Sequence, residues 1–527
     1  MRQIFSLKDK KNHRALIVLL ILIIALALRL YGVDRYTFWS DEASLLLDTR
    51  SVWDIFPLTA FLDPSFSKTN QDYLLMYNHL FIHYWRKVFG SSEFGLRFSS
   101  VIFSLASLWL MYIVGKHFFP RKSVFAALVL TCCSPMHIYY AQELRPYAAL
   151  GCFFLLMILS VIKIVFEHKQ RYWLLYGFVA IVSIYFHFIM VFSLCSIILY
   201  LIIGHWRNRD LMKKAALMHI GIGIVLTPVW IILVHNYFNY LQYAVHLELN
   251  EYPVWGGAIS LIHLFCTLKN FSIGYAVSYM SWVGIVQSVL FLTLFTIGAR
   301  TSFTNAKVRL LLFCILFPVA SLFLLSFIKP CYVDRYVYYV LLLALLCVAG
   351  GLLRCRKRVS LVVLTVILAM NGYGLLRYYT NNYPDDALTS SYGITKKQNI
   401  RHIAQFLAHH YKDGDAIMHT WKGTVFPLKF YARQYSTNNA FLREVDKGGM
   451  LFSNEGASAM MYITYDTIHP HVVVEESNKK VDLSSIQRLW LFYAKRGVDI
   501  VEMTKQKGFA VKHVVPCDDG ALYLLSK

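Results

Sequence analysis

Two adjacent carboxylates, Asp41 and Glu42, stand in the run Phe38-Trp39-Ser40-Asp41-Glu42-Ala43, just beyond the first long apolar stretch of the chain. A carboxylate near low-dielectric surroundings gains basicity, which a general base needs to take a proton from an attacking hydroxyl. The order Ser-Asp-Glu equally suits the capping of a short helix. A second motif, Gln142-Glu143-Leu144-Arg145-Pro146-Tyr147, sets an acid and a base two positions apart, with Pro146 placed to open the next helix. A third, Lys329 to Tyr336, brings the cations Lys329 and Arg335 to span ends. Arginine grips phosphate bidentately and lysine binds it as a point charge, so this turn suits the phosphate of a lipid carrier. Snorkelling of both cations to headgroups is the plainer alternative. His187 stands alone at a turn, as an interfacial hydrogen-bonding residue or a ligand. His235, His246 and His263 match no metal-binding spacing. No cofactor is required by the sequence, and a divalent cation stays open.

These groups need a scaffold, and composition says which kind. Of 527 residues, 57% are hydrophobic and only 16% charged. The apolar residues fall in repeated runs near the roughly 20 that cross about 30 Å of hydrocarbon as a helix. The period-two alternation of a membrane barrel is absent. The expected architecture is a polytopic α-helical membrane protein. The net charge of +22 comes from Lys and Arg gathered in short loops, which is the positive-inside pattern rather than a nucleic-acid surface. Ten cysteines show no paired framework, and most sit inside apolar runs.

Taken in order, basic clusters predict about eleven spans with the N-terminus in the cytoplasm and the C-terminus outside. Lys8, Lys10, Lys11 and Arg14 precede the first span, so Asp41 and Glu42 emerge outside. Residues 33–95 form a first external loop whose mixed aromatic and charged composition suits helices lying in the interface. Residues 172–204 are too long for one crossing and are split near His187. A further external loop runs from 235 to about 281, carrying His235, His246, Glu248, Glu251, His263 and Lys269. The membrane domain is expected over 1–379. From 380 to 527 the composition becomes that of a small soluble α/β domain, with a helix near 397–411 and strands near 415–419, 488–493 and 521–525.

On these motifs the chain resembles the GT-C membrane glycosyltransferases, in particular the bacterial branch similar to protein O-mannosyltransferases and the lipid A aminoarabinose transferase. The resemblance rests on Trp39-Ser40-Asp41-Glu42-Ala43, Tyr73 to Gly90, Leu96-Arg97-Phe98, Ser134-Pro135, Gln142 to Tyr147, and Asp334-Arg335-Tyr336. It covers roughly residues 15–380. It implies a GT-C fold and sugar transfer from a polyprenyl-phosphate donor to a hydroxyl of a glycan, lipid or protein. The setting it implies is the outer face of the bacterial inner membrane. By the same resemblance Asp41 is the catalytic base, while Glu42 and Glu143 position the acceptor, the donor or an ion. Arg145, Lys329 and Arg335 would hold the carrier phosphate, with Tyr147, Tyr336 and His187 in the same binding set. Partners are then the lipid-linked donor, the acceptor and membrane lipids, with no nucleic acid. Two other readings stand beside it, of which the first shares the topology. A polysaccharide polymerase or ligase would use a lipid-pyrophosphate donor but does not call for the acidic first-loop motif. A transporter would place charges mid-span and show inverted repeats.

Overall fold

The computed structural model describes residues 2–49, 76–231, 233–234, 259–300, 305–328, 331–384, 396–419, 422–447, 450–452, 460–465, 473–475, 486–494, 508–517 and 520–527. The chain divides into two compact units. The first comprises Met1–Val33, Asn70–Asn78 and Leu96–Thr395, and the second Asp34–Thr69, His79–Gly95 and Lys396–Lys527.

The first unit is helical. Among the described residues, eight helices are long and apolar enough to cross a membrane, or nine if the bent pair Arg121–Cys132 and Pro135–Ala141 counts as one span. The about eleven expected spans differ from this at two places. Tyr172–Phe186 has 15 residues, only about 22 Å of helix, and falls short of the hydrocarbon thickness. Arg209–Val225 opens on Arg209, Asp210, Lys213 and Lys214, which shortens its apolar part, and it breaks at Leu226 before helical residues 227–231. The division near His187 is present: the backbone turns extended there, between Tyr172–Phe186 and the helix Val191–His205.

The bent pair meets at 60°. Pro135 cannot donate into the preceding turn, and Ser134 caps the new helix by accepting from the His137 N–H. The bend strands carbonyls at the end of Arg121–Cys132. The fully buried Arg29 guanidinium donates to two of them, Cys132 at 3.3 Å and Thr131 at 3.4 Å. Gln142 fixes the far end of the pair, donating to the Arg29 and Tyr31 carbonyls at 2.8 and 2.9 Å and accepting from the Tyr378 hydroxyl at 2.7 Å. Trp282–Ala299 and Leu341–Leu352 touch backbone to backbone. A Cβ on Gly298 would lie 1.9 Å from the Cys347 carbonyl oxygen, and one on Gly351 1.9 Å from that of Leu294.

Among the described residues of the second unit the strands are β1 Ala416–His419, β2 Met450–Phe452, β3 Met460–Tyr465, β4 Val473–Glu475, β5 Arg488–Ala494, β6 Ala510–Cys517 and β7 Gly520–Ser526. They form a mixed seven-stranded sheet in the order β4-β3-β2-β1-β5-β7-β6. β1 runs parallel to β2 and β5, and the remaining pairs are antiparallel. Met418, Leu489, Leu491, Phe509 and Leu525 form its core. The helix Ile400–His410 buries Ile400, Ile403, Ala404 and Leu407, one stripe at helical spacing. The helix and strands expected near 397–411, 415–419, 488–493 and 521–525 are all present.

Candidate active site

Asp41 and Glu42 lie in the first turn of the helix Ser40–Asp48, within the second unit. Acidic side chains suit that position because the first backbone N–H groups have no partner in the helix. Glu42 is fully buried and its carboxylate accepts from the Trp39 N–H at 3.2 Å, closing the helix start. Asp41, one residue earlier, is partly exposed.

This helix is anchored to the C-terminal part of the same unit. Thr37 donates to the Gln398 carbonyl at 2.5 Å and accepts from the Ile400 N–H at 3.3 Å. The Phe38 N–H donates to the Tyr431 hydroxyl at 2.9 Å, and that hydroxyl donates to Glu93 at 2.6 Å. Arg401 pairs with the same Glu93 oxygen at 2.6 Å. Phe38 packs its fully buried ring edge-on against Phe430, and Ala43, Leu46 and Leu47 are buried too. The acidic motif is therefore held by residues more than 350 positions away.

Glu143, Arg145, Tyr147, His187, Arg335 and Tyr336 all fall in the first unit. Glu143 is buried just after the helix Pro135–Ala141, with its main-chain carbonyl held by Ser100 at 2.6 Å and the Tyr139 phenol within electrostatic range of its carboxylate. Tyr147 opens the next helix, its ring 5.0 Å from Tyr140 and 5.9 Å from His187. His187 sits at the helix break with its ring 5.4 Å from Tyr336, and its Nδ1 accepts from the Ile189 N–H. Arg145 and Arg335 are both close enough to act electrostatically on this imidazole. Two phenols thus flank the histidine, and two guanidinium groups from the same segments as those phenols lie within electrostatic range of it. Lys329 lies outside the described residues, as do His235, His246, Glu248 and Glu251. His263 is occupied at its own helix start, where its ring bonds to Ser260. Among the described residues no group of three or more His, Cys, Asp or Glu side chains is placed to hold an ion.

Residues 76–235, which include Glu143, Arg145, Tyr147 and His187, match the family described as dolichyl-phosphate-mannose-protein mannosyltransferase. Along nearly the whole chain the fold is similar to that of ArnT from Cupriavidus metallidurans bound to undecaprenyl phosphate, with a TM-score of 0.58 over 96% of this chain and 97% of that one at 11% identity. The chain shares the fold of that protein. The apo structure of the same Cupriavidus metallidurans protein gives a TM-score of 0.55 at 12% identity, over 96% of this chain and 97% of that one. No curated protein matches the sequence.

The helical unit also contains a buried polar network outside the motifs. Asp334 accepts from Asn270 at 2.6 Å and from Tyr275 at 2.9 Å, and the Tyr275 hydroxyl meets that of Tyr140 at 2.6 Å. Lys269, fully buried, donates to the Gly274 carbonyl at 2.8 Å and to Asn270 at 3.1 Å, with its ammonium 4.2 Å from the Tyr279 ring centroid. Lys269 and Asn270 lie on Leu261–Ile273, a helix inside what the charge pattern reads as an external loop, with Tyr275 and Tyr279 just after it. Thirteen residues are too few for a span, so hydropathy passes over it. The visible signal was the neighbouring pair Lys269-Asn270 within an apolar run. The network fixes the start of the Asp334-Arg335-Tyr336 turn and with it the placement of Arg335.

Proposed function

We propose that this chain is a glycosyltransferase that moves a sugar from a polyprenyl-phosphate donor to an acceptor hydroxyl on the outer face of the bacterial inner membrane, inverting the anomeric carbon. The observation that carries the reading is the convergence of Arg145, Tyr147, His187, Arg335 and Tyr336 within the helical unit. Two guanidinium groups beside phenol and imidazole donors form a receptor for one phosphate at a low-dielectric boundary. The undecaprenyl phosphate in the ArnT structure of the same fold supports a carrier of that type.

In the proposed step the acceptor oxygen forms a bond to the anomeric carbon as the bond from that carbon to the phosphate oxygen breaks. The acceptor proton passes to the Asp41 carboxylate, and the departing phosphate keeps the electron pair. Arg145, Arg335 and Lys329 stabilise the charge that grows on the leaving group. Glu42 holds the first turn that carries Asp41, and Glu143 orients acceptor or donor among its tyrosines.

The test presents a panel of polyprenyl-phosphate sugars to purified protein in nanodiscs and follows release of polyprenyl phosphate. Wild type should turn over one donor, while Asp41→Asn should lose about 10²–10⁴ in rate, the usual worth of a general base. A folded Asp41→Asn protein with full activity would sink the assignment. Turnover of a lipid-pyrophosphate glycan alone would indicate the polymerase or ligase reading.

A further inference from the structure

The second unit contains a cavity of about 520 Å³ lined by Thr49, His83, Arg86, Lys87, Ser91 and Arg433. Among the described residues that line it, half are cationic and none is a carboxylate. Arg433 has its own counter-ion, since it donates to Asp446 at 3.1 and 2.6 Å. Arg86 is held differently: its Nε donates to the Ser91 hydroxyl at 2.6 Å and one terminal nitrogen to the Leu46 carbonyl at 3.2 Å, both neutral acceptors. A half-buried guanidinium oriented by neutral groups is a charge in place with its anion still to come.

Two further polar groups face the same space. Thr49 is fully buried, and its hydroxyl has no hydrogen-bond partner. His83 is only 5% exposed; its Nδ1 lies 2.8 Å from the Thr49 carbonyl, which can only accept, so Nδ1 carries the proton. Its Nε2 is buried without a partner. Buried polar atoms are nearly always satisfied, so two orphans beside an uncompensated arginine ask for a ligand with both acceptors and a proton to share. A phosphate monoester supplies both: its oxygens accept from Arg86 and Thr49, and its P–OH donates to Nε2. Lys87, exposed at the mouth, adds a point charge. On the same helix, Met76–Phe89, the side chains of Tyr84, Val88 and Phe89 are exposed, a face suited to a lipid surface.

We propose that this cavity is a binding site for a phosphate monoester, distinct from the cluster around His187. The same chemistry is offered by an anionic lipid headgroup and by soluble phosphate. The experiment is calorimetric titration of the full chain in phosphatidylcholine nanodiscs with dihexanoyl phosphatidic acid and with inorganic phosphate. Saturable binding of phosphatidic acid is expected. Arg86→Gln should weaken it by about tenfold or more, the worth of one charge-assisted hydrogen bond, and Lys87→Gln and Thr49→Val by smaller factors. Arg335→Gln should remove only binding at the His187 cluster and leave intact the binding step that Arg86→Gln weakens. If Arg86→Gln does not fold, Lys87→Gln and Thr49→Val carry the test alone. Inorganic phosphate competing at similar concentration would assign the site to a soluble phosphate group, and weak competition would assign it to a lipid headgroup. The proposal is overturned if wild type binds neither probe saturably, or if Arg335→Gln abolishes binding while Lys87→Gln and Thr49→Val do not.

Discussion

Glu42 and Asp41 are neighbours in sequence with different surroundings, and that difference can be measured. Glu42 is buried with its carboxylate on the Trp39 N–H, so Glu42→Ala removes a cap and should cost about 0.5–2 kcal/mol of stability. Glu42→Gln keeps an acceptor oxygen in the same place. It should restore most of the stability and leave transferase activity within a few-fold of wild type, whereas Asp41→Asn keeps the fold and loses the rate. Thermal unfolding beside a donor-release assay separates the two; equal damage from Glu42→Gln and Asp41→Asn would make Glu42 a charge-dependent participant. A second residue sets a pH limit. His419 in β1 is 2% exposed with Nδ1 2.8 Å from the Thr424 hydroxyl, and burial pushes its pKa down to about 3. The unfolded chain takes up this proton near pH 6.5 and the folded chain does not. The contribution is complete above about pH 6.5 and is lost as pH falls towards 3, by about 1.4 kcal/mol per pH unit. Protection factors of β1 and β5 amides against hydrogen exchange, taken relative to the intrinsic rate at each pH, should fall over that window, and His419→Gln should flatten the dependence. At this scale the candidate acids and bases were legible because charge beside an apolar run is visible in one dimension. The tie from Tyr431 to Glu93 was not, since 338 residues separate the partners and neither belongs to a motif.

Helices and strands were legible wherever one face or one whole run was apolar. The stripe of Ile400, Ile403, Ala404 and Leu407 and the short runs that became β1, β5 and β7 show their period directly. What periodicity leaves out is how closely two elements approach. Gly298 and Gly351 stand in apolar runs without marking themselves, yet each brings its backbone against the other helix, with Gly351 N 3.0 Å from the Cβ position of Gly298. In a membrane, where lipid tails are as apolar as leucine, such close approach is a main source of helix association. Gly298→Val and Gly351→Val each place a side chain where a carbonyl oxygen already lies. Neither helix can relieve this by a rotamer change, so both variants should lose most of the folded, monodisperse protein in detergent size-exclusion chromatography. Gly372→Ala is the control, because nothing lies within 4 Å of its Cβ position, and it should behave as wild type.

For the whole molecule the open quantity is the path of the chain between Tyr147–Val165 and Trp282–Ala299, because the two elements that depart from eleven spans both lie there. If Tyr172–Phe186 and the broken stretch after Arg209 both cross, the count is eleven. If neither crosses, it is nine with the bent pair as one span. The difference is two, so the N-terminus, the C-terminal sheet and Arg354 to Arg358 keep the same sides under both counts. Only the intervening segments exchange sides: eleven crossings place Arg207, Arg209, Lys213 and Lys214 in the cytoplasm and His187 outside, and nine reverse both. Four cations in eight residues favour the cytoplasm, since the orientation bias counts Lys and Arg in short loops. The proposed phosphate cluster makes the same demand, because His187 must share an outer face with Arg335 and Tyr336. The 15-residue helix then crosses with its ends drawn inward, where the bilayer thins or flanking side chains snorkel at modest cost. A protease site inserted between Arg207 and Asn208 reads the answer. Cleavage in inverted but not right-side-out vesicles is expected; cleavage only in right-side-out vesicles would establish nine crossings and remove His187 from the carrier-phosphate site.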